Sequence, residues 1–277
     1  MINCHFRDEP TSDLTGALAS CCAALDAVDG GPSVVCVTSA AVAADSRGWR
    51  SADPDEMVAR FRRGAVAVRT LALRFPALEL RLGVELEYRP EWLGLYERLL
   101  STVPFDFVLG SVHRVDGHDI SGGLQVDPFF LGRSRDEAVE AYFGELAALV
   151  AWGGFDAVTH FDLIKRFGHR HYGRFMPGTF RPLIEPILAE MGRKEIGLEI
   201  NTSGIEEAPG APYPEPEILE WARALGVEFL TLGADVRASG EIVPSLTAGV
   251  RLARETGWKK FTVYEARQQV GQIRVAA

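Results

Sequence analysis

Short apolar runs rich in β-branched residues alternate along the chain with longer stretches in which apolar residues recur every three or four positions. That pattern predicts a mostly parallel sheet covered by helices. The predicted strands are "SVVCVT" (33–38), "LELRLGVELE" (78–87), "FDFVLGSVH" (105–113), "FDAVTHFD" (155–162), "EIGLEINTS" (195–203), "VEFLTLGAD" (227–235) and "KKFTVYEA" (259–266). Several intervening helices carry readable ends. Asp53-Pro54 with Glu56 opens one, Ser134 with Glu137 makes a capping box for "RDEAVEAYFGELAALVAW", and Gly226 stops a third that begins near Pro214. No repeat, low-complexity tract or Pro/Ser-rich linker divides the chain, so one barrel-like domain is the economical expectation.

Polar residues recur where these strands end. Glu85 follows "LRLGV", His113 follows "FVLGSV", His160 follows "DAVT", Asn201 follows "GLEI" and Asp235 follows "LTLGA". Strands of a parallel barrel end at one face, where residues from distant parts of the chain converge. Each position alone has a plainer explanation. A single histidine after a strand is more often a hydrogen-bonded structural group, and a lone Asp or Glu there often caps the next helix. Five positions of ligand or acid/base type are harder to explain that way. With His5 added, the nitrogen and oxygen donors of His5, Glu85, His113, His160 and Asp235 suit Zn, Mn or Fe, with a carboxylate placed to bridge two ions.

Composition narrows the partners. The chain has 277 residues, 47% of them hydrophobic, enough for a sizeable core, and a formal charge of −9. That acidity argues against nucleic acid as the main partner while leaving room for a local basic pocket that holds a small anion. Cys4, Cys21, Cys22 and Cys36 show no CxxC spacing, which fits reduced thiols. No apolar run is long enough to cross a bilayer and the start "MINCHFRDEP" lacks signal-peptide character, so the expectation is a cytoplasmic protein with no membrane partner.

The runs "GVELEY", "FDFVLGSVHRVDG", "FDAVTHFDLIKRFG", "GLEINTSGI", "YPEPEILEWARALGV" and "LTLGADVRA" resemble the histidinol-phosphate phosphatase branch of the PHP (polymerase and histidinol phosphatase) family. The similarity runs in order from about residue 55 to the C-terminus. It implies an α/β fold, a distorted (β/α)7 TIM-like barrel, as a single domain over 1–277, with a metal cluster, usually of three ions, at the C-terminal face. It also implies hydrolysis of a small phosphorylated substrate, L-histidinol phosphate.

The departures matter as much. Where the family opens with Asp-x-His-x-His, this chain reads "NCHFRD", keeping His5 and placing Arg7 at the second histidine. Where the family ends with Ser-Asp-Ala-His, "GADVR" keeps Asp235 and places Arg237 at the last histidine. The Ser/Thr-Asp-His turn is replaced by "TSAAVAA", and "EPTSDLTG" lacks a further expected histidine. By this resemblance the ion held by Glu85, His113 and His160 keeps its site. The ion held by His5, Glu85 and Asp235 loses one ligand to Arg7, and the third site is empty. The expectation is therefore one or two divalent ions (Zn, Mn or Fe), with His5 and Asp235 as catalytic as well as metal-binding residues. Arg7, Arg237, Lys165, Arg166 and Asn201 are the candidates for substrate binding, since guanidinium groups can grip a phosphate through paired hydrogen bonds. For the two arginines, a solvated surface or an internal salt bridge to Asp8 or Asp235 competes on even terms. Lys165 and Arg166 open a βα loop, where long basic side chains commonly face solvent. His169 and His171 have HxH spacing on an expected loop, and His118 falls in a turn. Two other functions stay open: a barrel redirected to another metal-assisted reaction, such as elimination, cyclisation or iron-dependent oxidation, and an inactive protein that binds an anion or a partner.

Overall fold

The computed structural model describes residues 1–6, 14–27, 33–41, 44–45, 48–49, 53–122, 126–205, 210–235 and 242–275. Seven parallel strands close into a barrel: β1 (Ile2–Phe6), β2 (Val34–Ala40), β3 (Glu79–Glu87), β4 (Phe107–Ser111), β5 (Ala157–Val158), β6 (Gly197–Asn201) and β7 (Leu230–Asp235). Each strand pairs with its neighbour in sequence, and β7 closes on β1 with His5 level with Asp235. This is the expected TIM-like α/β architecture.

Two of the predicted strands differ. The segment 259–266 is not a barrel strand. Its strand β8 (Lys260–Glu265) pairs antiparallel with β9 (Gln268–Arg274) outside the barrel, where Tyr264 packs on Phe107 with ring centroids 4.8 Å apart. The place it was expected to fill belongs to β1, whose inward residues Asn3 and His5 break the apolar pattern of a buried strand. The stretch 155–162 keeps only two strand residues, because the chain bends at His160, where φ is +32°.

Helix ends follow the sequence signals closely. The helix Pro54–Arg74 starts on Asp53, whose carboxylate accepts from the backbone N–H groups of Asp55 and Glu56. It buries Met57, Val58, Phe61, Ala65, Val68 and Leu71 along one stripe. The helix Arg135–Trp152 has the Ser134–Glu137 capping box at its start and ends on Gly153 in the left-handed conformation. The buried faces of these helices and the outer faces of the strands form the main core. A second, smaller core of Met1, Val34, Cys36, Phe107, Leu109, Ala157, Val263 and Tyr264 includes strand residues of alternating, inward parity.

Inside the barrel the residue types change with height. Along β1 the inward sequence is Met1, Asn3, His5; along β2 it is Val34, Cys36, Thr38; along β6 it is Gly197, Glu199, Asn201. An apolar plug thus gives way to a polar layer, and that layer to the ligand-type residues at the C-terminal mouth.

Candidate metal centre

Glu85, two residues before the end of β3, lies level with Ala40 of β2 and Leu109 of β4, and its side chain rises into the C-terminal mouth. His113 lies two residues beyond β4, and His160 two beyond β5, at the bend that ends it. Tyr142, from the helix Arg135–Trp152, donates to the carbonyl oxygen of Phe161 at 3.1 Å and accepts from the Leu163 N–H at 3.2 Å, which fixes that bend.

These three residues meet. The Nε2 atoms of His113 and His160 are 3.3 Å apart, and each is 3.4 Å from Oε1 of Glu85. Donors bound at about 2.0–2.1 Å around a tetrahedral ion stand about 3.3–3.4 Å from one another, so the triangle has the size of three coordination positions. Glu85 Oε1 is buried and makes no hydrogen bond of its own. A buried carboxylate oxygen without a donor is costly, and a shared cation removes the cost. Among the described residues, this is the one group of three or more His, Cys, Asp or Glu side chains with ligand spacing. The residues fit a divalent ion.

His5 adjoins this triangle. Its Nδ1 is 3.3 Å from Glu85 Oε2 and its Nε2 is 2.9 Å from Glu199 Oε1. Burial alone would lower its pKa, but the carboxylates of Glu199 and Glu85 outweigh burial and hold it well above the ordinary histidine range. For Glu85, burial acts upward, and the facing His160, His5 and His113 outweigh it, leaving the carboxyl well below its usual range. Any ion at His5 must displace a proton. Asp235 ends β7 with its backbone in register with that of His5.

The other candidates separate. Lys165 is buried rather than solvent-facing: its ammonium meets Asp162 Oδ2 at 2.9 Å, Glu215 Oε1 at 2.9 Å and the Pro212 carbonyl at 2.6 Å. Three acceptors match its three donors. Arg166 is half-buried, with its guanidinium 5.4 Å from the Phe167 ring centroid. Asn201 is fully buried, and its Oδ1 accepts from Ser203 N and Oγ while its Nδ2 faces Glu199. Arg7 and Arg237 lie outside the described residues. His169 and His171 are on a helix, Lys165–Tyr172, and not on a loop. Two residues apart, they leave a helix in different directions. His171 stacks on Phe130 and pairs with Asp127, and His169 Nδ1 donates to the Arg166 carbonyl, so the pair shares no ligand site. His118 bonds the Asp116 carbonyl within a turn.

Glu199 had no place among the candidates from sequence. Its signal was present in the alternation Gly197, Glu199, Asn201, which puts a carboxylate inside a barrel strand buried on both faces.

Comparison with known proteins places this geometry. A family model described as PHP domain matches residues 27–203. The chain is 27% identical over 196 residues to a probable histidinol-phosphatase of Deinococcus radiodurans, covering 69% of this chain and 70% of that one. It is 26% identical over 194 residues to a histidinol-phosphatase of Lactococcus lactis subsp. lactis, covering 67% and 66%. In structure it is similar to a histidinol phosphate phosphatase from Lactococcus lactis complexed with zinc, L-histidinol and phosphate, with TM-score 0.78, 19% identity and 98% of each chain covered. A putative histidinol phosphatase from Listeria monocytogenes gives TM-score 0.64 at 15% identity, covering 84% of this chain and 94% of that one. Both structural likenesses speak for the fold.

Proposed function

Because the chain belongs to the PHP domain family, we propose that it is a metal-dependent phosphomonoester hydrolase with a reduced site, acting on L-histidinol phosphate. The observation that carries this reading is the triangle of Glu85 Oε1, His113 Nε2 and His160 Nε2, with edges of 3.3 to 3.4 Å, at the C-terminal mouth of the barrel. Its three residues hold the first ion, of Zn, Mn or Fe type. His5, Glu85 and Asp235 hold a second, more weakly, since Arg7 stands where the family has another ligand.

A divalent ion at this mouth supplies charge against a phosphoryl oxygen and makes water more acidic. The chain's own side chains do the rest. Arg7 follows Phe6, the last residue of β1, and Arg237 comes two residues after Asp235, the last of the neighbouring β7. From there their guanidinium groups grip the phosphate and supply fixed positive charge where metal charge has been lost. Where the second ion position is empty, His5 and Asp235 share the handling of the proton between water and the leaving alkoxide. Lys165, with its donors already taken by Asp162, Glu215 and Pro212, positions the His160 segment and makes no phosphate contact.

The test joins metal content to turnover. Purified protein should carry one to two equivalents of Zn, Mn or Fe and release phosphate from L-histidinol phosphate, and H113A and E85A should lose both properties. A protein that neither carries metal nor hydrolyses this substrate or p-nitrophenyl phosphate with added Mn, Zn or Fe is not this enzyme. Turnover of p-nitrophenyl phosphate alone would keep the hydrolase and discard the substrate.

A further inference from the structure

Glu199 sits fully buried below the cluster, level with Thr231 of β7. Four side-chain donors converge on its carboxylate. Asn3 Nδ2 is 2.6 Å from Oε2, while Thr159 Oγ1 at 2.6 Å, His5 Nε2 at 2.9 Å and Asn201 Nδ2 at 3.3 Å all meet Oε1. Room for the group comes from Gly233 on the neighbouring strand, where a Cβ would stand 2.4 Å from the Glu199 Cδ. The site is built around an acceptor.

That acceptor constrains His5. A carboxylate oxygen has no proton to offer, so a 2.9 Å contact with Nε2 requires the proton to be on Nε2. In the neutral ring Nδ1 is then the bare nitrogen, and it faces Glu85 Oε2 at 3.3 Å. Histidine ligands in metal sites are commonly oriented this way, with the second ring nitrogen bonded to a carboxylate.

We propose that Glu199 is a positioning residue: it fixes the ring and proton placement of His5 so that Nδ1 is presented toward Glu85, and thereby sets the affinity of the second ion position. This rests on the reading of His5 as a ligand there. A purely structural Glu199, tying β1, β5 and β6 together, would affect the whole barrel and both ions alike.

The experiment is a Co²⁺ titration of metal-free full-length protein, wild type and E199Q, followed by visible absorption and calorimetry, with long-range ¹H–¹⁵N spectra of the histidine rings. Glutamine keeps the size of the side chain but turns an N–H toward at least one of the four donors. His5 is the imidazole among them and can move its proton to Nδ1 and accept. The first equivalent should bind equally in both proteins, and the second about 10–100-fold more weakly in E199Q. His5 Nε2 should carry a proton in the wild type and none in E199Q. An unchanged second equivalent with Nε2 still protonated overturns the proposal, as does parallel loss of both equivalents with a lowered melting temperature. If the wild type takes up one equivalent only, the two-ion reading fails and the His5 spectra alone decide on Glu199. A wild-type spectrum with a bare Nε2 refutes the proposal even if E199Q does not fold.

Discussion

His113 and His160 stand 47 residues apart in the chain, yet their Nε2 atoms are 3.3 Å apart and face the same oxygen of Glu85. Without a cation, this arrangement buries an undonated carboxylate oxygen. Metal binding should therefore appear as stability. At free ion about 100 times the dissociation constant the gain is about 2.7 kcal/mol, a rise in Tm of roughly 5 to 10 °C. Calorimetric scans with and without Zn²⁺ should show the shift in the wild type and its loss in H113A. An equal shift in both proteins would place the ion elsewhere.

Lys165 tests whether burial or charge explains a basic residue next to the site. Its side chain is almost wholly inaccessible, and its single ammonium is shared between Asp162 and Glu215. Burial pushes the Asp162 carboxyl upward and the lysine opposes that push. K165M keeps the length of the side chain and leaves two carboxylates without their cation, which should cost about 3–5 kcal/mol in urea unfolding. A variant of native stability with a raised KM would instead mark Lys165 as a phosphate contact.

Arg7 and Arg237 carry the opposite expectation. If they grip the phosphate, R7A and R237A should each raise KM for L-histidinol phosphate about 10-fold or more, the loss of one charge-assisted pair, with bound metal unchanged by elemental analysis. Loss of metal instead would make them supports of the ion site.

Glu87 supplies a pH signature. Burial pushes its carboxyl up to about 8, against the opposing pull of Arg89. Between the ordinary glutamate value of 4.5 and about 8, the folded state therefore holds a proton that the unfolded chain has released. Stability must fall as pH rises through that window, because folding there binds protons. Unfolding of metal-free protein at pH 5 to 9 should show this decline, and E87Q should flatten it. An E87Q profile parallel to the wild type would refute the assignment.

What the sequence revealed follows from how far each residue's role depends on distant partners. Glu85, His113 and His160 were legible because ligand-type residues recur near the C-terminal ends of several apolar strands, a repetition that no one position would have made telling. Strand β1 was missed because Asn3 and His5 interrupt its apolar pattern, and they do so because they face a polar layer that only the closed barrel creates. The helix carrying His169 and His171 has no side-chain cap at its start, so nothing local announced it. Lys165 looked solvent-facing because Pro212 and Glu215, which hold it, lie 47 and 50 residues away.

The polar layer makes one last demand, on glycine. At Gly233 an added Cβ would stand 2.4 Å from Glu199 Cδ and 2.6 Å from both its oxygens, and that carboxylate is pinned by Asn3, Thr159 and His5. G233A must shift a fully bonded buried group and should cost about 1–3 kcal/mol. Gly64 lies inside the helix Pro54–Arg74 with nothing within 4 Å of an added Cβ. There the same substitution relieves the poor helix propensity of glycine and should stabilise by about 0.5–1 kcal/mol. Denaturant unfolding of the two variants should therefore move in opposite directions. A G233A protein of native stability would mean that Gly233 does not provide the room Glu199 occupies, and destabilisation by G64A would mean that the space beside that helix position is not open.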